Sequence, residues 1–595
     1  MIPTDEKKPM GFGKTMLASA TGFLIAFLVI RIIGFFIIIG LIGALAVSGS
    51  KDTPTVVTGD HIFLKVDLSQ DIVERSPDKM TSLFSENKTQ GLCDLLKAIE
   101  HAKSDNRVEG IYLYCQNAAV AWAHCDELRD ALSDYRGATG NPIVAYADNY
   151  SQTGYYLASM SDCVGLHPSG IVDLRGIGAE VIFYKDLLDK LGVHMELIRP
   201  ESNAYKSAGE TYTRNSMSDA NREQVRSYVR SIWQHAVDNM AQSRHTTADS
   251  INLMADLLTG YVAQRAQQSR LVDTLLFERD MRDLMKDAYG CRRLVNINKY
   301  AHSFTDKPAA DKIALIYAEG NVVDGTSEGY ATAVYGDDIV EALRAATKDD
   351  DVKAIVLRIN SPGGSATASE AMTHAVIEAK KQKPVIVSMS ALAASAGYEM
   401  ACNATTIVAQ PTTLTGSIGV FAAIPEVGTL LKKKLGIDVD TVNTNRNSTG
   451  LSLMRPLSPT ARATMQYHVE EFYKTFLQRV ADGRGMSTEA VNQIARGRVW
   501  TGQQALANGL VDTLGGLSLA LRIAASEAGI NDYSTVDYPR EKDLFTRLMA
   551  VASDKEDIIL NDRLQAVIPF YHDLVDWTNM APVQARLPYI IRIEN

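Results

Sequence analysis

The chain has 595 residues, of which 46% are hydrophobic and 22% charged, a composition typical of a globular protein with a sizeable core. This excludes a mainly disordered, collagenous or coiled-coil chain. Asp and Glu number 70 against 60 Lys and Arg, and a net charge of −10 argues against a nucleic-acid partner, which requires a basic face. Length alone predicts about four domain-sized units.

The first predicted element is a membrane anchor. Met16–Val47 is almost wholly apolar, longer than the ~20 residues that span a bilayer and too long for the core of a cleaved signal peptide. Either Gly22–Val47 spans, with Arg31 near one interface, or the span starts near Arg31 and Met16–Ile30 lies along the surface.

Charges around this run predict its orientation. Only Lys51, beside Asp52, follows it closely, whereas three lysines precede it: Lys7, Lys8 and Lys14. The positive-inside rule therefore predicts a cytosolic N-terminus, a single pass through the lipid at residues 16–47, and an extracytoplasmic body.

The remainder is an internal duplication. Five short segments of the first half recur in order in the second half at nearly constant spacing, and these pairs begin at Arg107 and Asp351, Asn141 and Lys383, Gly154 and Gly397, Lys190 and Lys434, and Leu271 and Leu510. A repeat this long predicts two tandem domains rather than a solenoid. We predict an N-terminus and anchor at 1–50, repeats at 55–302 and 310–540 that meet in the polar stretch 302–312, and a tail at 541–595.

Each copy alternates predicted strands and helices. In the second copy, short Val- and Ile-rich runs predict strands buried on both faces: Ile313–Ala318, Ala354–Ile359, Pro384–Met389 and Thr405–Ala409. Helical spacing of apolar residues predicts a helix over Asp338–Ala346, and Leu92, Leu95, Leu96 and Ile99 repeat it in the first copy. The sequence therefore predicts parallel sheets built from βαβ units, with sites where strands end.

Two loops of the second copy could carry chemistry. Ser361–Ser365 contains Pro362, Gly363 and Gly364, and its glycines suit either an oxyanion hole or a plain turn with Ser365 as a helix cap. Small residues surround Ser395, which could be an exposed nucleophile before a helix starting near Ala394, or an ordinary cap.

The duplication bears on this choice. The first copy keeps the Gly-Tyr frame but has Gln152 at the position of Ser395, so only one copy can be nucleophilic. The nearest histidines, His374 and His468, show no helpful spacing to Ser395, and a lysine with a pKa lowered by burial is the other known base. The residues alone do not select which lysine.

The motifs taken together resemble those of the signal peptide peptidase A (protease IV) family, S49, in its long, two-domain form. The segments that carry the resemblance are Ser361-Pro362-Gly363-Gly364-Ser365, Ala393-Ala394-Ser395-Ala396-Gly397-Tyr398, Leu414–Val420, Ala204-Tyr205-Lys206-Ser207-Ala208, Arg498–Ala505 and Gly509–Asp512. The resemblance covers roughly residues 55–530.

The resemblance implies a membrane-anchored serine protease with a Ser/Lys dyad in tandem crotonase/Clp-protease-like α/β domains. Ser395 would be the nucleophile and Lys206, from the other repeat, the base; the place equivalent to Lys206 in the second copy, Arg446–Gly450, has no lysine. The family assignment also implies cleaved signal peptides as substrates, a homotetramer, and no cofactor or metal.

Supporting roles are implied as well. Backbone N–H groups of Gly364 and Ala396, with Gly363 in the same loop, would stabilise the oxyanion, and Ser417 would orient the lysine. Two positions depart from the usual pattern, because Ala396 and Ser390 each replace a glycine. A crotonase-like acyl-thioester enzyme and a catalytically silent membrane scaffold are the alternatives.

The six cysteines have no metal-ligand spacing, and we expect them to be buried as small apolar residues rather than paired. Apolar pieces of the tail, Ala566–Tyr571 and Leu587–Ile591, predict packing or subunit contacts.

Overall fold

The computed structural model describes Arg31 and residues 59–76, 89–304, 309–327, 333–539 and 584–586. The predicted anchor therefore lies outside the described residues, apart from Arg31, which is helical. Within the described ranges, no helix combines the length and the apolar character needed to cross a bilayer. The apolar tail pieces 566–571 and 587–591 also lie outside these ranges.

The first repeat is built on a six-stranded parallel sheet. The strands of the first repeat, of which β2, β3 and β7 lie outside this sheet, are β1 Ile62–Asp67, β2 Asp71–Val73, β3 Thr89–Gly91, β4 Val108–Tyr114, β5 Ile143–Tyr150, β6 Cys163–Val172, β7 His194–Ile198, β8 Thr274–Leu275 and β9 Arg293–Asn296. The sheet order is β8-β6-β5-β4-β1-β9, and all five pairings are parallel.

The second repeat has the same order. Its strands are β10 Lys312–Glu319, β11 Asn321–Val323, β12 Ala333–Tyr335, β13 Val352–Ser361, β14 Gly363–Ser365, β15 Val385–Ala394, β16 Thr406–Ala409, β17 Leu414–Gly416, β18 Ala422–Glu426, β19 Val499–Thr501, β20 Thr513–Leu514 and β21 Ser534–Tyr538; β22 Gln584–Arg586 follows. The path β19-β17-β15-β13-β10-β21, with β16 joining β15 to β20, places β15, β13, β10 and β21 as the counterparts of β5, β4, β1 and β9. The prediction of two duplicated α/β domains is confirmed.

Helices pack on both sheets. Those of the first repeat are α1 Leu92–Ala102, α2 Trp122–Thr139, α3 Gln152–Ala158, α4 Lys185–Leu191, α5 Glu210–Thr213, α6 Asp219–Ser243, α7 Ala248–Asp256, α8 Ala263–Gln268, α9 Glu278–Tyr289 and α10 Ile297–Ala301, with a 3₁₀ turn at Thr259–Tyr261. Those of the second are α11 Gly336–Lys348, α12 Ala366–Lys380, α13 Ala396–Glu399, α14 Gly428–Leu430, α15 Pro459–Arg484, α16 Thr488–Ile494, α17 Gly502–Ala507 and α18 Leu517–Ala528, with a π turn at Leu431–Leu435.

The central strands lie where the hydrophobic runs predict them. Consecutive residues of β13, such as Ile355, Val356 and Leu357, are fully buried, as expected for a strand covered on both faces. The strand predicted over Pro384–Met389 extends five residues further, to Ala394. It therefore reaches Ser395 directly.

The two repeats form one compact unit. β7 of the first repeat pairs antiparallel with β18 of the second, from His194 opposite Glu426 to Ile198 opposite Ala422. This pairing directs the chain that follows β7 towards the second repeat.

A small sheet of order β12-β11-β14-β22 covers the glycine loop. β22, from the tail, pairs antiparallel with β14, Gly364 lying opposite Ala585. All six cysteines are free and buried, which confirms that interpretation of them.

Candidate active site

Ser395 sits at a sharp turn between strand and helix. β15 ends at Ala394 and α13 begins at Ala396, two residues later than the sequence suggests. The φ angle of Ser395 is +57°, a strained conformation for a non-glycine residue. Its side chain makes no cap hydrogen bond, so the alternative in which Ser395 is an ordinary helix cap is wrong.

Lys206 approaches Ser395 from the first repeat. The Lys206 Nζ atom lies 2.7 Å from Ser395 Oγ, 2.9 Å from the carbonyl oxygen of Ser417 and 3.0 Å from Ser417 Oγ. The structure thus brings together three residues that the family resemblance selects.

These three side chains are fully buried. Burial lowers the pKa of Lys206 well below its ordinary value, because a charged ammonium is poorly solvated there and no carboxylate of the described residues opposes the effect. A neutral amine is the form of lysine that can accept a proton.

Backbone contacts from the second repeat hold the lysine loop. The N–H of Tyr205 donates to the carbonyl of Arg496 at 3.0 Å. Gln224 Nε2 donates to the Tyr205 carbonyl at 3.0 Å, and Gln224 Oε1 accepts from Val499 N at 3.2 Å. The loop therefore depends on both repeats for its position.

The glycine loop packs closely beside Ser395. Gly363 has φ +98°, and a Cβ on Gly364 would lie 2.0 Å from the carbonyl oxygen of Val322, so both positions require glycine. A Cβ on Gly397 would lie 2.9 Å from the carbonyl of Ser361, which shows how closely this loop approaches the turn at Ser395. Ser365 caps α12 by accepting from Ala368 N, so the cap interpretation of Ser365 is right.

Comparison with known proteins assigns this arrangement to a family. The sequence profile described as peptidase family S49 matches residues 136–292 and 377–531. Protease 4 of Salmonella typhi is 36% identical over 492 residues, which cover 80% of this chain and 78% of that protein. The chain belongs to peptidase family S49.

Other relatives agree with this assignment. Protease 4 of Haemophilus influenzae is 33% identical, with 80% of each chain covered, and the chloroplastic serine protease SPPA of Arabidopsis thaliana is 29% identical, covering 76% of this chain and 68% of that one. A profile described as Clp protease matches residues 318–415. The chain is a serine peptidase with tandem, Clp-like α/β domains, as the sequence predicts.

Histidines do not reach the candidate nucleophile of this S49 peptidase. His374 and His468 are both exposed on helices, α12 and α15. The hydrogen bonds that the described residues make to Ser395 Oγ involve Lys206 Nζ and, at 3.5 Å, the carbonyl of Gly419.

Sequence reasoning missed the residues that seat the lysine. Gly497, at φ +80°, lies so close that a Cβ there would be 2.5 Å from the Cβ of Lys206. Arg498 packs over the rings of Tyr205 and Trp500 at 4.9 and 4.3 Å, and its carbonyl accepts from Ser417 N at 2.7 Å. The only signal was that Arg498 opens a segment resembling the family.

Proposed function

We propose that Ser395 is the nucleophile and Lys206 the general base of this S49 peptidase. The observation that carries the proposal is the 2.7 Å separation of Ser395 Oγ and Lys206 Nζ, two fully buried groups from different repeats. A serine hydroxyl requires an adjacent base to become a nucleophile, and a desolvated lysine is one such base.

The three partners of Lys206 Nζ can also accommodate the neutral amine that burial favours. A neutral amine donates two hydrogen bonds and accepts one. The carbonyl of Ser417 can only accept, and Ser417 Oγ can accept the second N–H, which leaves the lone pair facing the hydroxyl of Ser395. In this arrangement Ser417 orients the base.

The reaction follows from these positions. Ser395 Oγ attacks the peptide carbonyl carbon while its proton passes to Lys206 Nζ, and the resulting ammonium protonates the leaving amine. Water then attacks the acyl-enzyme, again giving a proton to Lys206, and the proton returns to Ser395 as the ester bond breaks. Each step is proton-balanced and needs no cofactor.

We assign oxyanion stabilisation to the backbone N–H groups of Gly364 and Ala396. Ala396 opens α13 directly after Ser395, and Gly364 lies in β14, the short strand of the glycine loop, where Gly363 precedes it. Ala396 in place of the family's commoner glycine keeps its N–H, so this substitution leaves the donor available.

Peptides in extended conformation fit the site best. The edge of β14 that faces away from β11 pairs with the antiparallel strand β22, and strand pairing at such an edge is a general mode of peptide recognition. Apolar residues precede Ser395 at Ala391, Leu392 and Ala393, which supports apolar substrates such as cleaved signal peptides. The relatives favour this peptidase over an acyl-thioester enzyme or a silent scaffold.

We further propose a bacterial inner-membrane location and a homotetramer. The apolar run at 16–47, with lysines before it, supports a single-pass anchor with the body outside the cytosol. The match of residues 318–415 to the Clp protease profile supports an oligomeric assembly.

A serine-reactive fluorophosphonate probe tests the dyad. We expect labelling at Ser395 that disappears in Lys206→Met, a variant of similar length that cannot accept a proton. Gln152→Ala, at the equivalent place in the first repeat, is the matched control and should label normally. Unchanged labelling in Lys206→Met would sink the dyad.

Membrane attachment is tested separately with the chain lacking residues 1–50. We expect this chain to leave the membrane fraction while retaining probe labelling. If it stayed with the membrane after a carbonate wash, the anchor assignment would be wrong.

A further inference from the structure

A second group of buried polar side chains lies between the two repeats, outside the candidate active site. We call it the inter-repeat cluster, and each member is at most 4% exposed: Glu74, His124 and Glu127 from the first repeat, and Arg358, Ser388 and Ser390 from the second. Polar groups buried this completely are retained only when they are bonded to one another.

Arg358, in β13, is the centre of the cluster. Its Nε donates to Glu74 Oε2 at 2.8 Å and its Nη2 to Glu127 Oε2 at 2.8 Å. Its Nη1 donates to Ser388 Oγ, at the paired position of β15, also at 2.8 Å. One guanidinium thus joins two carboxylates of the first repeat to two catalytic-repeat strands.

Ser390 makes a second connection on β15. Its Oγ lies 2.9 Å from His124 Nε2 and also contacts Glu74 Oε1, which itself lies 3.0 Å from His124 Nε2. Serine, histidine and carboxylate meet here, but Ser390 Oγ and Glu74 Oε1 both approach Nε2 of His124. In a catalytic triad the serine and the carboxylate contact different ring nitrogens, so this group is not a triad.

The charge of Arg358 keeps Glu74 ionised within the cluster. Burial alone would raise the pKa of Glu74, but the charge of Arg358, together with the hydrogen bond from His124, holds it well below its ordinary range. The carboxylate therefore stays ionised and bound. A buried ion pair is weak evidence for stability, and its best-attested use is to fix one arrangement of packed elements.

The strands that the cluster grips lead directly to the candidate site. β13 carries Arg358 and ends at Ser361, immediately before the glycine loop. β15 carries Ser390 and ends at Ala394, immediately before Ser395. Because strands are stiff over a few residues, a shift at the cluster is transmitted to both loops.

We propose that the inter-repeat cluster positions the Ser395 turn and the Gly363–Gly364 loop, so that Glu74, His124 and Arg358 are positioning residues. The first repeat then contributes alignment of the second repeat's strands as well as Lys206. The consequence for catalysis rests on the proposed function, whereas the consequence for backbone order does not.

The test compares two His124 variants in the full-length chain. His124→Gln keeps a nitrogen donor near the position of Nε2, and His124→Leu removes it at similar size. In His124→Leu, we expect amide hydrogen exchange in peptides spanning 358–366 and 386–400 to accelerate about tenfold. We expect probe labelling of Ser395 to slow by up to about 100-fold, in the maximal labelling rate rather than in the probe concentration that gives half of it, because small misplacements of a nucleophile are costly.

His124→Gln is expected to restore both measurements to near wild-type values. Ser390→Ala, which removes only the hydroxyl, should show the same exchange pattern more weakly. Asp273→Asn is the control for general destabilisation, because Asp273 bonds to Arg244 and Val164 within the first repeat.

Two results would overturn the proposal: wild-type exchange in both peptides of His124→Leu, or an acceleration spread over the whole chain as in Asp273→Asn. If wild-type Ser395 did not react with the probe, the proposed function would fail, but the exchange measurement would still decide the positioning role.

Discussion

The two repeats share a scaffold down to individual hydrogen bonds. Tyr155 OH donates to the Leu271 carbonyl at 2.8 Å in the first, and Tyr398 OH to the Leu510 carbonyl at 2.9 Å in the second. In each repeat an aspartate also receives a strand N–H at 2.8 Å, from Val164 in one and Ile407 in the other. These contacts explain why the Gly-Tyr and Leu-Val-Asp segments recur along the chain.

They differ at the turn where β5 and β15 end. In the first repeat, Ser151 caps α3, and Gln152 Oε1 accepts from Arg175 N at 3.0 Å and from Gly176 N at 2.9 Å. In the second, Ser395 has φ +57° and faces Lys206. The Gln152 side chain is bonded to neighbouring backbone groups, whereas Ser395 is held in a strained turn with its hydroxyl in contact with the Lys206 amine.

This contrast separates scaffold from chemistry. The same strand–turn–helix unit can hold an unstrained residue whose side chain is hydrogen-bonded, as in the first repeat, or a strained residue with a reactive side chain, as in the second. Catalysis therefore depends on a few positions rather than on the fold.

The largest expected effect comes from removing either Ser395 or Lys206, the two residues that distinguish the repeats. Ser395→Ala and Lys206→Met should each lower peptidase activity by about 10⁴–10⁶-fold, because members of one catalytic unit fail together. Peptide hydrolysis under single-turnover conditions measures this. Combining the two changes should cost little more than either alone.

Gln152→Ser is the complementary change, and it should create no second site, because the equivalent place to Ser417 in the first repeat is Leu174 and no lysine is supplied there. Hydrolysis by Gln152→Ser in a Ser395→Ala background would contradict the division of roles between repeats.

The next largest effect is the pH dependence of probe labelling at Ser395. Since burial lowers the pKa of Lys206, probe labelling should rise with pH as the amine loses its proton and level off well below the ordinary lysine pKa of about 10.4. Labelling rates across pH 5–10, with circular dichroism to confirm folding, measure the profile.

The same shift affects stability. Between the lowered pKa of Lys206 in the native state and the ordinary lysine pKa, the unfolded chain binds a proton that the native state has lost, so native stability should rise with pH in that window. Lys206→Met should therefore raise the Tm at neutral pH, with the difference shrinking as the pH approaches about 10.4. A lower Tm across the whole range would argue against a destabilising buried amine.

A moderate effect is expected at the edge of β14, which has β22 beside it in the second repeat. A chain ending at residue 583 should bind peptide substrates with a KM about 3–10-fold lower, because a competing strand has been removed. The control is a chain ending at Arg586, which retains β22. Equal KM values for the two truncations would rule out competition by β22.

The smallest expected effect concerns an arginine–aspartate pair that both repeats contain. Asp273→Asn and Asp512→Asn remove equivalent pairs with Arg244 and Arg484, each carboxylate being more than a third exposed. Each should lower the free energy of unfolding by only about 1 kcal/mol, since solvent screens such pairs. Urea denaturation measures both, and losses that differed widely would show that the scaffold is not equivalent after all.

Local pattern predicted much of this architecture. Val- and Ile-rich runs marked β10, β13, β15 and β16 because strands covered on both faces leave a continuous apolar signature. The duplication predicted two domains, and the motif around Ser395 selected a nucleophile, although chemistry alone did not choose Lys206 among the lysines.

The contacts between the two repeats could not be predicted from the sequence. Arg358 lies inside an apolar run, and its partners Glu74 and Glu127 are 284 and 231 positions away. The pairing of β7 with β18 and the contact of Gly497 with Lys206 likewise depend on how the domains dock. Only a folded chain brings such positions together, and no spacing rule encodes them.

The separation of Lys206 and Ser395 has a consequence during synthesis. The proposed nucleophile follows the proposed base by 189 positions, so at ordinary translation rates about 10–40 s pass between them. If the proposed dyad is correct, neither half of the nascent chain is a protease by itself. Proteolytic competence would then arise only when the second repeat docks on the first, so that domain docking would delay activity until the chain has folded.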